Sequence, residues 1–219
     1  MTSKTENIQP LKIKDCAMLK IATGIRAQNI QELRDAIITI HPGSIFYHFW
    51  NRKLRPAFEK PEYYNDFAMW AYNSLHDNKL TERLGLINPL GYDAEDIRKK
   101  LIEVLDSHIE ENQSYQNSKE GEQFQFTRSE IVVFDTDIVI NKPNELPNVF
   151  GELSLGSIYY HYIYTNLPSE NIYQWLGQND HKALTIEIID NLDCYFLTLE
   201  EIRSRSAQIF TDFFKGESN

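Results

Sequence analysis

Cysteine is scarce: the chain of 219 residues holds two, Cys16 and Cys194. Without a Cys-x-x-Cys pair they form neither a zinc ribbon nor a thioredoxin-like redox site. Positive charge is also in deficit, with 22 Lys and Arg against 32 Asp and Glu and a net charge of −10. A duplex nucleic-acid binder draws its affinity from neutralised phosphates, and an anionic membrane surface needs the same cations. The composition therefore argues against nucleic-acid and membrane partners. No apolar run is long enough to span a bilayer. Met1 to Asp15 is polar with isolated apolar residues and lacks the apolar core of a signal peptide. The expectation is a soluble protein of the reducing cytoplasm. The chain has no Gly-rich phosphate loop, no Gly-x-Ser-x-Gly elbow and no His-Glu-x-x-His. No cofactor is expected.

Aromatic residues, by contrast, are plentiful, with 12 Tyr, 12 Phe and 3 Trp. They fit a packed globular core, for which the chain is long enough. They concentrate in Ser44-Ile45-Phe46-Tyr47-His48-Phe49, which returns as Ser157-Ile158-Tyr159-Tyr160-His161-Tyr162, each preceded by a glycine, Gly43 or Gly156. An offset of 113 maps residues 11–50 onto 124–163 without a gap and also pairs Thr23 with Thr136, Ile25 with Ile138, Glu32 with Glu145 and Leu33 with Leu146. The offset then falls to 105, pairing Trp70 with Trp175, His76 with His181, Glu82 with Glu187, Glu95 with Glu200, Ile97 with Ile202 and Arg98 with Arg203. The pattern reads as an internal duplication, with extra residues in the first copy between Trp50 and Trp70. Two copies are too few for a solenoid. The expected boundaries are a flexible N-terminus at 1–10, a first repeat at 11–109, a polar linker at 110–123, a second repeat at 124–214 and a tail at 215–219. The repeats are expected to pack as one pseudo-two-fold unit.

Each copy opens with an extended segment. Alternation at Phe124 and Phe126, followed by Ile131-Val132-Val133-Phe134, predicts a strand that becomes more deeply buried along its length. Thr23-Gly24 and Thr136-Asp137 carry turn chemistry, and a hairpin can follow there. Asn29 with Glu32 forms a capping box, and Leu33, Ile37 and Ile40 follow at helical spacing. In the second copy Pro143 suits a first turn, with Leu146, Val149, Phe150 and Leu153 as the apolar face. Ser44 and Ser157 are the expected N-caps of the aromatic helices. Further helices are expected around Trp70 and Trp175, over 79–86 and 183–189, and after Asp93 and Thr198. An isolated hairpin is only marginally stable, so the strand segments of both copies are expected to meet in one small shared β-sheet. The predicted class is α+β, internally duplicated and rich in helix.

The candidate ligand-binding residues are Tyr47, His48, Arg52, Arg55, Tyr160 and His161. Two Tyr-His pairs in an aromatic setting can bind a ligand through imidazole or hydroxyl. The plainer reading is a neutral core histidine that donates to a carbonyl and fixes helix packing. Arg52 and Arg55, present in the first copy alone, suit a phosphate or carboxylate, or else a salt-bridged surface beside Glu59 and Glu62. His76 and His181 sit beside Asp77 and Asp180 and are the metal candidates, although no spacing matches a strong metal motif. Arg98 with Glu95 reads as an i, i+3 ion pair, and Trp70 and Trp175 read as core.

Thr23-Gly24-x-Arg26-Ala27-x-Asn29-x-x-Glu32-Leu33, then Ser44 to Trp50, then Asn65-Asp66-Phe67-x-x-Trp70, resembles a prokaryotic family known as a domain of unknown function. The resemblance covers nearly the whole chain and implies no activity. The second copy departs from it in lacking the Arg-rich insertion and in carrying Asp137 where the first has Gly24.

Together these features favour a non-catalytic binding or regulatory module with a pocket between two pseudo-symmetric halves. Its partner would be an unknown small molecule or a protein. The alternatives are a metal-assisted or phosphate-handling enzyme using the Tyr-His elements, and an oligomeric scaffold.

Overall fold

Two long strands organise the fold, β1 (Leu11–Ala27) and β2 (Phe124–Ile140), which pair as a two-stranded sheet. The computed structural model describes residues 9–54, 62–112 and 116–216. The strands run antiparallel: Thr23, late in β1, donates its hydroxyl to the carbonyl of Phe126 at 2.6 Å, and Thr136, late in β2, donates to that of Ile13 at 2.6 Å. The shared sheet and the α+β class are thus as expected.

Two local expectations about the strands are corrected. No hairpin forms at Thr23-Gly24 or Thr136-Asp137, because each strand continues through it. Gly24 takes φ +77° within the strand. The Thr23 hydroxyl also accepts from the Ile25 N–H at 3.1 Å, and Thr136 does the same for Ile138 at 3.2 Å. A side-chain oxygen thus stands in for a backbone partner and lets the chain deviate without reversing. The run after Ile131 is not buried either: Val132, Val133 and Phe134 are 46%, 36% and 48% exposed.

The chain clusters into two compact units whose boundaries fall inside both strands. The first comprises Met18 to Ile131. It holds α1 (Ile30–Thr39), α2 (Pro42–Trp50), α3 (Asp66–Asn73), α4 (Asn78–Gly85) and α5 (Ala94–Glu111). Asn29 caps α1 by accepting from the Glu32 N–H at 2.9 Å, and Glu32 reaches back to the Gln28 N–H at 2.8 Å. Leu33 and Ile37 of α1, Ile45 and Phe49 of α2, and Ile97, Leu101 and Leu105 of α5 are fully buried. α2 lacks a polar face and is buried along nearly all its length. Its N-cap is not Ser44 but His41, whose Nδ1 accepts from the Gly43 N–H at 3.0 Å, with Pro42 at the first helical position. Arg98 does more than pair with Glu95 at 2.8 Å. It is buried and donates to the carbonyls of Ile37 and Ile40, satisfying the C-terminal end of α1.

The second unit comprises the residues up to Ala17 and those from Val132 onward. It holds α6 (Leu146–Val149), α7 (Leu155–Tyr159), α8 (Ile172–Gln178), α9 (Lys182–Asn191) and α10 (Leu199–Gly216). The helix expected after Pro143 is broken into 3₁₀ turns on either side of α6. Pro147 has no N–H to give the helical ladder. α7 is capped by Ser154, not Ser157, and continues as a π-helical turn over Tyr160–Tyr164. Thr198 and Glu201 form a reciprocal capping box at α10, with bonds of 2.8 and 3.1 Å. Arg203 donates to the carbonyl of Leu153 at 2.9 Å.

Candidate functional site

In the unit of residues 18–131, α2 presents His48 to the first residues of β2. The ring is 4% exposed and packed by Phe67, Phe124 and Phe126, with centroids at 5.4, 4.7 and 5.9 Å. Its Nε2 accepts from the backbone N–H of Thr127 at 3.1 Å. That nitrogen therefore carries no proton, and Nδ1–H donates to Asp66 Oδ2 at 2.9 Å. Asp66 also accepts from Asn51 at 2.5 Å and from Arg52 Nε at 3.4 Å. Burial, the largest influence on Asp66, pushes its pKa up. The bonds from His48 and Asn51 and the Arg52 charge outweigh it, so the net shift is downward and the group stays a carboxylate.

The same arrangement occurs in the other unit with different partners. His161 Nε2 accepts from the Lys14 N–H at 3.0 Å, and Nδ1–H donates to the Glu170 carbonyl at 2.5 Å. The Glu170 side chain accepts from the Tyr160 hydroxyl and pairs with Lys14 Nζ at 3.1 Å. Burial lowers the pKa of His161 and holds the ring neutral. It raises that of Tyr160 to about 12, with Glu170 adding to the effect. Lys14 and Thr127 are 113 residues apart, as are His161 and His48.

The glycines of these elements serve the same contact. A Cβ on Gly43 would lie 2.8 Å from the Ser129 carbonyl, and one on Gly156 would lie 2.5 Å from that of Cys16. Each helix start rests on strand backbone, which only glycine permits. Ser44 adds a bond to the Thr127 carbonyl at 2.8 Å, and Cys16 donates its thiol to the Gly156 carbonyl at 3.3 Å. The indole N–H groups of Trp70 and Trp175 donate to the carbonyls of Glu122 and Gln9 at 2.8 and 2.7 Å. With both ring nitrogens engaged, neither histidine has a lone pair free for a substrate or metal. The arrangement fastens helix to strand.

The remaining predicted residues scatter. Tyr47 and Tyr160 stand edge-on to the histidine that follows each, at 5.1 and 5.0 Å. Arg52 supports Asp66, and Arg55 lies outside the described residues, as do Glu59 and part of the surrounding insertion. His181, at the start of α9, packs against Phe213 and Phe214. His76 belongs to the other unit, and among the described residues no group of three His, Cys, Asp or Glu side chains is placed to hold a metal.

His76 does border a cavity of about 310 Å³, lined by Ile30, Leu75, Asp77, Asn78, His108, Asn112 and Gln116. It takes φ +52° in the turn between α3 and α4, where the Asp77 N–H closes back on the Ala71 carbonyl at 3.1 Å. Glycine is the usual residue at such a left-handed cap. Asp77 caps α4 through Oδ1, which accepts from the Leu80 N–H at 2.9 Å, and holds His108 Nε2 through Oδ2 at 2.8 Å. A carboxylate accepts, so the proton sits on Nε2 and the lone pair on Nδ1. That Nδ1 is buried and has no hydrogen-bond partner among the described residues. At the sequence offset of 105 His108 falls on Phe213, so the repeated pattern does not single it out. Its partner lies 31 residues away on another element, and the readable signal was the buried face of α5 on which it falls.

The chain is thus an α+β protein in which a buried histidine of each unit accepts a hydrogen bond from strand backbone. The chain belongs to the family of unknown function DUF5752, whose model matches residues 8–211. Its structure is similar to that of OrfY from Thermoproteus tenax, with a TM-score of 0.78 and 21% identity over 93% of this chain and 94% of that one. At that identity the likeness is one of fold. No curated protein matches.

Proposed function

We propose that this chain is a non-catalytic binding protein whose ligand occupies the cavity bordered by His76, Asp77 and His108. The unpartnered Nδ1 of His108 carries the reading. A buried acceptor left without a donor costs about 1–3 kcal/mol, and a ligand N–H or O–H that reaches it through a small movement of the cavity wall would recover it. The carboxamides of Asn78, Asn112 and Gln116 offer further donors and acceptors above an apolar floor of Ile30 and Leu75. No lysine or arginine is among the described lining residues. The fit is therefore to a small polar molecule without negative charge, carrying at least one donor. The Asp77–His108 pair also resembles an oriented general base. The described lining contains no Ser, Thr or Cys for it to activate, so binding is the better supported role. Cys16 and Cys194 are buried and not joined in a disulfide, which suits a reducing, cytoplasmic setting.

The test is a titration of protein carrying ¹⁵N-labelled histidine with small amides, ureas and polyols. The His108 Nδ1 resonance should move saturably with at least one of them. Asp77→Asn keeps a capping oxygen but offers an N–H to Nε2, so it moves the ring proton to Nδ1. It should weaken that binding by about tenfold or more. A His108 resonance that no probe moves, or unchanged affinity in Asp77→Asn, would defeat the reading. So would turnover that disappears in a folded His108→Gln variant.

A further inference from the structure

Val132, Phe134 and Ile138 of β2, with Val133 and Val139, are between 36% and 48% exposed, all within one unit. Neighbouring residues of a strand point to opposite faces, so apolar side chains face solvent on both sides of β2. Exposed, flat, apolar strands with a free edge are templates for pairing with another chain. Among the described residues β2 belongs to a sheet of two strands and has no third.

We propose that β2 from Val132 to Val139 is an assembly surface, and that its partner is β1 of a second copy of this chain. Charge selects the occupant. β1 carries Lys12, Lys14, Lys20 and Arg26 against one acid, Asp15. β2 carries Glu130, Asp135 and Asp137 against one base, Arg128. The contrast is sharpest at positions 113 apart: Lys20 and Arg26 in β1 stand where β2 has Val133 and Val139, and Ala22 and Gly24 stand where it has Asp135 and Asp137. Asp135 is 85% exposed on its side chain, and its ion pair with Lys14 is long at 3.8 Å. Pairing β2 with another β2 would bring acids together, and pairing β1 with β1 would bring bases together. β1 against β2 joins opposite charges while covering Val133, Phe134 and Val139.

Light scattering on size-exclusion fractions of the full chain, at several concentrations and at low and high salt, tests this. The wild type is expected to form a concentration-dependent assembly that weakens with salt. Asp135→Lys/Asp137→Lys and Lys20→Glu/Arg26→Glu should each raise the dissociation constant by about tenfold or more, and mixing the two variants should restore assembly. Val133→Thr/Phe134→Thr, which keeps strand-forming residues, should weaken assembly without reversing any charge. A wild type that stays monomeric throughout overturns the proposal. So does an assembly that survives both charge reversals, or variants that fail to recover on mixing while their circular dichroism is native.

Discussion

His48 reaches 79 residues along the chain to accept the backbone N–H of Thr127 at 3.1 Å. A histidine in that role is a fixed backbone acceptor. Replacing it by alanine opens a cavity among three phenylalanine rings and leaves the N–H and Asp66 without their partner. His48→Ala should cost about 3 kcal/mol by urea denaturation. His48→Gln, which can still accept and donate, should recover part of the loss. A cost for His48→Ala below about 0.5 kcal/mol would mean that the bond contributes nothing to stability.

The pH dependence of stability has a definite sign. Burial holds the His161 pKa below its ordinary 6.5 in the folded chain. The unfolded chain therefore takes up a proton first. Stability should be full above about pH 6.5 and fall as the pH drops from there toward the folded pKa. A second decline belongs to Glu170 and Asp66, whose folded pKa values lie below 4.5 and 3.8. Their contribution is present above those values and is lost as the pH falls through the folded ones. His161→Gln should flatten the first decline and leave the second. Identical profiles for the two proteins between pH 7 and pH 5.5 would refute the assignment.

Alanine in place of a helical glycine usually stabilises, by roughly 0.5–1 kcal/mol. Here the sign should reverse. Gly156→Ala would drive a methyl group into the Cys16 carbonyl, and Gly43→Ala into that of Ser129. Each should destabilise by about 1–3 kcal/mol, with Gly156→Ala the worse because its approach is closer. Thermal unfolding of the two variants settles the order, and a rise in melting temperature for either would contradict the close approach.

Much of the local structure was legible because its chemistry is local. Asn29, Asp93 and Thr198 cap their helices as their side chains and spacing suggest. The α2 cap misled because a serine is the commoner cap, while Pro42 marked the true start one residue after His41. The exposed run from Val132 to Phe134 looked like core because β-branched residues report a preference for strand, and they do not report what covers the strand. The Tyr-His elements were visible as a repeated pattern. Their chemistry was not, since a free imidazole differs from an engaged one only in partners such as Thr127 and Lys14, both distant in sequence. Asp66 was within reach: it stands in the same short pattern as Phe67 and Trp70, and a buried histidine invites a search for a carboxylate. The pairing of His108 with Asp77 was beyond reach, because α4 and α5 must pack before the two can meet.

The boundaries inside β1 and β2 also set an order of events during synthesis. Residues 18–131 are contiguous and can complete their unit as soon as they emerge. The other unit needs the first residues of β1 together with everything after Ile131. Lys14 and Gln9 therefore wait for His161 and Trp175, which are made 147 and 166 residues later. Joining them closes a loop of well over a hundred residues, a slow, non-local step. While translation lasts, the nascent chain carries an unpaired strand segment whose partners have not yet been made.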